Sequence, residues 1–321
     1  MTNYQEDFKK LWLYDRLKNQ LSQDSVSHAH FFVCEDEFSA KTFSDLVARL
    51  LLCENMNACG TCAACAQVNA QTHPDLFILP KEKTFMVASA AHVVENAHKK
   101  PIAGERKVFL INNFDKANES AQNKILKILE EPPKNTFFML NGTNDKKVLS
   151  TILSRVQKHF VPPFKADELQ SILKNNNVKF NQNILDMSDG YLGRALALAE
   201  NKDFLHSYDF VLNMLAKMTS SKDIINFSAE FSERSLFLLR LEILEKVFRN
   251  MLLIKNQSEN LIDDASVLLI SPLSAQFSNL AIINILNKII KAKMLFDASV
   301  NITSITDNLL LGILEDKFLW K

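Results

Sequence analysis

Glycine and proline are scarce in this chain, 6 and 8 among 321 residues, which argues against fibrous or low-complexity architectures and favours helices. Net charge is lacking too: 37 Lys plus Arg balance 37 Asp plus Glu. No overall field would therefore hold the molecule on nucleic acid or an anionic membrane, and any DNA contact must be local or borrowed from a partner. Long apolar runs are also missing. Met251–Ile254 and Val267–Ile270 fall far short of the roughly 20 residues that cross a bilayer, so no transmembrane segment is expected. The N-terminal MTNYQEDFKKLW lacks the basic-then-apolar order of a secretory signal, and the expected location is cytoplasmic. What is present, 47% hydrophobic and 23% charged residues, is the composition of a soluble globular chain long enough for two or three domains.

Four of the five cysteines crowd into one stretch, Cys53, Cys59, Cys62 and Cys65, with the spacing C-x5-C-x2-C-x2-C. Cys34 sits apart in an apolar run. A disulfide framework would be spread along the chain, whereas four clustered thiolates match the tetrahedral preference of Zn²⁺ at a closed structural site. Four sulfur ligands leave no open position for water or substrate, so the metal is expected to staple the fold and to catalyse nothing. The competing reading is a set of free or redox-active thiols, since C-x-x-C occurs twice.

The first half alternates apolar runs with helical patterns, the signature of an α/β layered domain with a parallel sheet. Strands are expected at 30–34, 75–79, 107–111, 136–140 and 159–161, and helices at 43–52, 90–99 and 119–129, the last stopped by Pro132-Pro133. After Phe160 no strand pattern returns. A small helical unit is expected over 163–200, with Asp167 as a helix cap and a break at Gly190–Gly193, followed by a helical bundle over 201–321. In that bundle Leu236, Leu239, Ile243, Val247 and Met251 form one apolar helix face.

After the first expected strand comes Glu35-Asp36-Glu37-Phe38-Ser39-Ala40-Lys41-Thr42. Lys41 and Thr42 stand where a phosphate-binding G-x-x-x-x-G-K-[ST] loop places its lysine and hydroxyl, but Glu35 and Ala40 replace its glycines. Three acids in the loop would repel a triphosphate. Taken alone, Lys41 also reads as a solvated helix residue. The strand that should end in magnesium-holding acids ends in Asn112-Asn113 instead. The site around Lys41, Thr42, Asn112 and Asn113 is therefore expected to be degenerate, with no productive ATP binding and no intrinsic ATPase.

These segments together resemble the AAA+ clamp-loader family of bacterial DNA polymerase III over nearly the whole first 200 residues. The match is carried by Cys53 to Cys65, His73-Pro74-Asp75, the run Ile125-Leu126-Lys127-Ile128-Leu129-Glu130-Glu131-Pro132-Pro133, and Ser154-Arg155-Val156 in place of Ser-Arg-Cys. The resemblance implies an AAA+ α/β domain over 1–162 carrying an inserted zinc module at 53–65, a helical lid over 163–200 and a helical collar over 201–321. It implies that Arg155, preceded by Ser154, acts as an arginine finger on ATP bound by a neighbouring subunit. The implied partners are gamma/tau and delta subunits in a hetero-pentamer, with the sliding clamp and primed DNA met through that complex. Thr143, Asn144 and Gly193-Arg194-Ala195 occupy the family's sensor positions and are expected to bond locally. Lys99, Lys100, Arg106 and Lys107 read as a solvated, charge-balanced face more readily than as phosphate contacts. The rivals are a gamma/tau-type motor subunit of the same complex, a generic AAA+ scaffold, and a zinc or thiol protein unrelated to replication.

Overall fold

A computed structural model describes residues 4–81, 84–258 and 264–319. The chain divides into two compact units, Met1–Asn176 with Gly190–Gly193, and Asn177–Asp189 with Arg194–Lys321.

In the first unit, helices α1 (Gln5–Phe8) and α2 (Trp12–Ser22) precede β1 (Ala29–Val33), α3 (Glu37–Leu52), α4 (Ala63–Asn69) and β2 (Leu76–Leu79). Then follow α5 (Val87–Ala97), β3 (Lys107–Ile111), α6 (Glu119–Glu130), β4 (Thr136–Gly142), α7 (Ser150–Leu153), β5 (Gln157–Phe160) and α8 (Ala166–Asn175). The five strands form one parallel sheet in the order β2-β3-β4-β1-β5. This is the expected α/β layering, and it fits the fold that the resemblance implies.

The central strands are mostly apolar because both faces of the sheet are covered, as parallel sheets require. On one face Phe77, Phe109 and Phe138 stack rung upon rung across β2, β3 and β4, with ring centroids 4.8 and 5.4 Å apart. The other face carries a buried polar pair: His30 Nδ1 lies 2.8 Å from His159 Nε2, and His30 Nε2 lies 2.9 Å from the Ser27 carbonyl oxygen. Burial lowers both imidazoles, His30 to about 3 and His159 to about 4, so the pair is neutral at physiological pH.

The second unit is helical among its described residues: α9 (Gln182–Met187), the main part of α10 (Leu192–Glu200), α11 (Phe204–Lys217), α12 (Ser221–Phe231), α13 (Phe237–Lys255), α14 (Asp264–Ser274), α15 (Asn279–Asp297) and α16 (Ile302–Leu319). In α13 the expected face is only partly right. Ile243, Val247 and Met251 are buried, but Leu236 is the residue before the helix and Leu239 is half-buried, while Phe237, Leu241, Leu244 and Phe248 complete a broad buried arc. Asp167 is not a cap either. It is the second residue of α8, and the capping carboxylate is that of Glu168, which accepts from the Lys165 N–H at 3.0 Å. Among the described residues no single helix is long and apolar enough to cross a membrane.

Candidate functional site

Parallel strands put all their C-terminal ends on one edge of the sheet, where ligands of open α/β sheets bind. Residues after β1, β3 and β4 meet there. The expected loop between β1 and Lys41 is largely absent, because α3 begins at Glu37 and winds Phe38, Ser39 and Ala40 into its first turn. Lys41 falls in the second turn and is exposed, and Thr42 is half-buried beside it.

The N-terminus of α3 still carries what such an end always carries, unpaired N–H groups and partial positive charge. An internal carboxylate takes two of them. Asp36, 7% exposed, accepts from Phe38 N at 3.0 Å, Ser39 N at 3.2 Å, the Ser39 hydroxyl at 2.5 Å and Gly193 N at 2.7 Å. A Cβ on Gly193 would collide with that carboxylate, so only glycine lets the backbone approach so closely. Asp36 was legible only as one of three repelling acids, yet Asp-x-x-Ser directly before an apolar helical run is itself an N-cap signal. Glu37 is also engaged: its carboxylate accepts from Asn113 Nδ2 and Lys116 Nζ, both at 2.7 Å.

Asn112 and Asn113 follow β3 as expected and are tied to β4. Asn141 Nδ2 donates to Asn112 Oδ1 at 2.7 Å, and Asn141 Oδ1 accepts from Asn113 N at 3.0 Å. The sensor-position residues Thr143 and Asn144 bond locally. Buried Asp115, which the sequence did not single out, accepts from Thr143 N, Thr143 Oγ1 and Asn144 N, each at 3.1 Å. Arg194 pairs with Asp189 at 3.1 Å. The structure thus brings Lys41, Thr42, Asn112 and Asn113 to one sheet edge, while Asp36, not Lys41, occupies the helix end.

Arg155 lies just before β5, and therefore at the opposite, N-terminal edge of the same sheet. Its side chain is 33% exposed. Nη2 meets Glu130 Oε1 at 2.5 Å, and Nη1 donates to the Thr151 carbonyl at 2.6 Å and the Ser154 hydroxyl at 3.1 Å. Val156, standing where the family motif has cysteine, is buried in the apolar core and roots the segment.

The four clustered cysteines converge, with their Sγ atoms all within 4.8 Å of one another. Backbone N–H groups of Cys59, Cys62 and Cys65 donate to the sulfurs of Cys53, Cys59 and Cys62 at 3.3 to 3.4 Å, which orients sulfur lone pairs toward a common centre. Hydrogen bonds, first from the Thr61 side chain, pull Cys59 down to about 5, while burial pushes Cys65 up. Thiolates this close repel one another, and a divalent cation is the chemical species that resolves the repulsion. The donor set fits a metal ion. Cys34, by contrast, is buried and pushed up to about 12 by desolvation, an inert thiol.

Of the four basic residues considered as a phosphate-contacting face, Lys107 is buried and donates to the Asn96 carbonyl at 2.9 Å and to that of Lys99. Arg106 reaches the Leu51 carbonyl at 3.3 Å, and Lys99 pairs with Glu95 at 3.2 Å. Nearby, the Asp75 carboxylate accepts from the N–H groups of Ile102, Ala103 and Gly104 at 2.6, 2.8 and 3.2 Å.

A family model described as "DNA polymerase III, delta subunit" matches residues 10–165. The DNA polymerase III subunit delta' of Bacillus subtilis is 24% identical over 310 residues, covering 93% of this chain and 94% of the relative. The delta' subunit of Buchnera aphidicola subsp. Schizaphis graminum is 28% identical over 289 residues, covering 86% and 84%. The gamma/tau subunit of Mycoplasma pneumoniae is 26% identical over 192 residues, 57% of this chain but 28% of that relative.

Proposed function

The chain belongs to the family of DNA polymerase III clamp-loader subunits, and on that premise we propose that it is the delta-prime-type, non-hydrolysing member of the assembly. The observation that carries this reading is the Asp36 carboxylate on the N-terminus of α3. A triphosphate would need those same N–H groups, and it would meet a buried negative charge already holding them. Asn112 and Asn113 are neutral and add no anionic ligand for Mg²⁺. A gamma/tau-type motor would need both features reversed.

Arg155 supplies the other half of the role. It sits on the sheet edge away from the chain's own degenerate site, so its guanidinium serves ATP held by an adjoining motor subunit, stabilising charge that develops on the transferred phosphoryl group. Ser154 helps hold it. The partners are gamma/tau and delta subunits in a hetero-pentamer in the cytoplasm, acting together on the sliding clamp and primed DNA. Residues 163–200 act as the lid and 201–321 as the collar of the assembly. Cys53, Cys59, Cys62 and Cys65 hold a structural Zn²⁺ that organises a loop with little core of its own.

The test is a reconstituted loader carrying Arg155→Ala. Assembly by size exclusion stays intact, and DNA-stimulated ATP hydrolysis falls by at least about tenfold at the site adjoining this chain, the low end of what a removed finger costs. Unchanged hydrolysis, or turnover by the isolated chain that Lys41→Ala abolishes, would overturn the proposal.

A further inference from the structure

The helix-ending acid of α6 has no role in the reading above, and its placement is electrostatically unfavourable. Glu130 is the last residue of α6. A carboxylate there faces the negative end of the helix dipole, a position that favours cations. It is also close in space to Arg155, although 25 residues separate them in the chain. We propose that Glu130 is a positioning residue for Arg155, fixing the direction in which the guanidinium is presented to the neighbouring subunit. The proposal rests on the reading that Arg155 acts in trans.

The geometry supports positioning over simple stabilisation. Both partners are partly exposed, 33% and 44% at the side chains, and solvent-exposed ion pairs contribute about 0 to 1 kcal/mol to stability. The contact therefore does little for the fold. What it does is complete a three-point hold on a planar fork: Glu130 on Nη2, and the Thr151 carbonyl and Ser154 hydroxyl on Nη1. Those two Nη1 contacts come from the turn that carries Arg155 itself, so they would follow any movement of it. Glu130 belongs to a different element, held by the buried side chains Ile125, Ile128 and Leu129, and it references the guanidinium to the sheet core. An unrestrained arginine spreads over many rotamers, and only a fraction would point at a neighbour's phosphate.

The experiment uses the reconstituted loader with Glu130→Gln, Glu130→Ala, Arg155→Ala, the double variant Glu130→Ala/Arg155→Ala, and the charge-reversed pair E130R/R155E. Removing the hold lowers kcat for DNA-stimulated ATP hydrolysis by about three- to tenfold in both Glu130 variants, the range expected from freeing one long side chain. KM for ATP stays unchanged because nucleotide binding by the motor subunit is untouched. In the double variant the loss of Glu130 adds nothing to the loss of Arg155. The reversed pair keeps an ion pair but lacks the finger and is as slow as Arg155→Ala, while melting temperatures of the Glu130 variants equal to that of the native chain separate positioning from folding. Wild-type kcat in the Glu130 variants alongside an impaired Arg155→Ala overturns the inference and leaves the finger standing. A faster enzyme without Glu130 also overturns it, because Glu130 would then be a restraint. Full activity in Arg155→Ala removes the underlying reading and the inference with it.

Discussion

Asp36→Ala tests the central feature of the proposed role, because the donors to that carboxylate are identified. The substitution removes an N-cap, which by itself costs about 0.5 to 2 kcal/mol. It also strands Gly193 N and the Ser39 hydroxyl beside a group only 7% exposed. Hydrogen bonds to charged groups contribute about 1.5 to 3 kcal/mol each, although water entering the vacated space recovers part of that loss. The expected total is about 2 to 4 kcal/mol, read as a lowered urea midpoint with an unchanged slope. Asp36→Asn keeps one acceptor oxygen and loses about half as much. A local readout accompanies the global one. The Gly193 amide is protected from hydrogen exchange in the native chain and exchanges at least about tenfold faster in Asp36→Ala, since its acceptor is gone. Midpoints equal to native together with an unprotected Gly193 in the native chain would refute the claim that Asp36 takes the place of a bound anion.

Metal analysis of the reduced, freshly purified chain gives one equivalent of zinc, and replacement by Co²⁺ produces thiolate-to-metal charge-transfer absorption that Cys62→Ser weakens; less than half an equivalent with reducible disulfides would restore the redox-thiol reading. The buried histidine pair makes the fold acid-sensitive. Both folded-state values lie below the ordinary 6.5, so their contribution is complete above about pH 6.5 and is lost as pH falls toward 4 and 3. At pH 4.5 the unfolded chain binds protons that the fold refuses, a loss on the order of a few kcal/mol. Urea titrations show this as a slope between pH 6.5 and 4.5 that His159→Gln flattens, and equal slopes in both proteins would contradict it.

The sheet was readable because its strands are buried on both faces, which turns each into a short continuous apolar run between helical patterns. The helical second half was readable from the absence of such runs and the shortage of breakers. Individual cap positions were less so: Asp167 and Glu168 both suit the first turn of α8, and only the Lys165 N–H contact identifies Glu168 as the partner. The candidate site was half legible. Missing glycines and missing acids are visible in one dimension, since the chemistry needs those residue types at fixed spacing. The consequence of replacing them is not visible, because a carboxylate that points into a loop and one that caps the helix share the same letter. Asp115 shows the same limit. It lies in a short turn with no motif around it, and its role exists only because β4 ends beside it in parallel register. Arg155 could be singled out from its motif, whereas its partner Glu130 could not, since 25 residues of helix, strand and turn separate them.

Parallel topology gives the two halves of the proposed role their independence. Every strand of the sheet runs the same way, so the residues after β1, β3 and β4 and the residue before β5 lie on opposite edges. A change that fills the C-terminal edge with Asp36 leaves the N-terminal edge untouched, since no hydrogen bond described at one edge shares a residue with the other. Mutations confined to the two edges, lacking shared partners, have additive effects on stability within a few tenths of a kcal/mol. The Asp36→Ala/Arg155→Ala double variant therefore shows the full stability loss of the first and the full ATPase loss of the second. Coupling above about 1 kcal/mol between them would mean that Asp36 and Arg155 belong to one cooperative element, and the separation of a plugged edge from a donating edge would have to be abandoned.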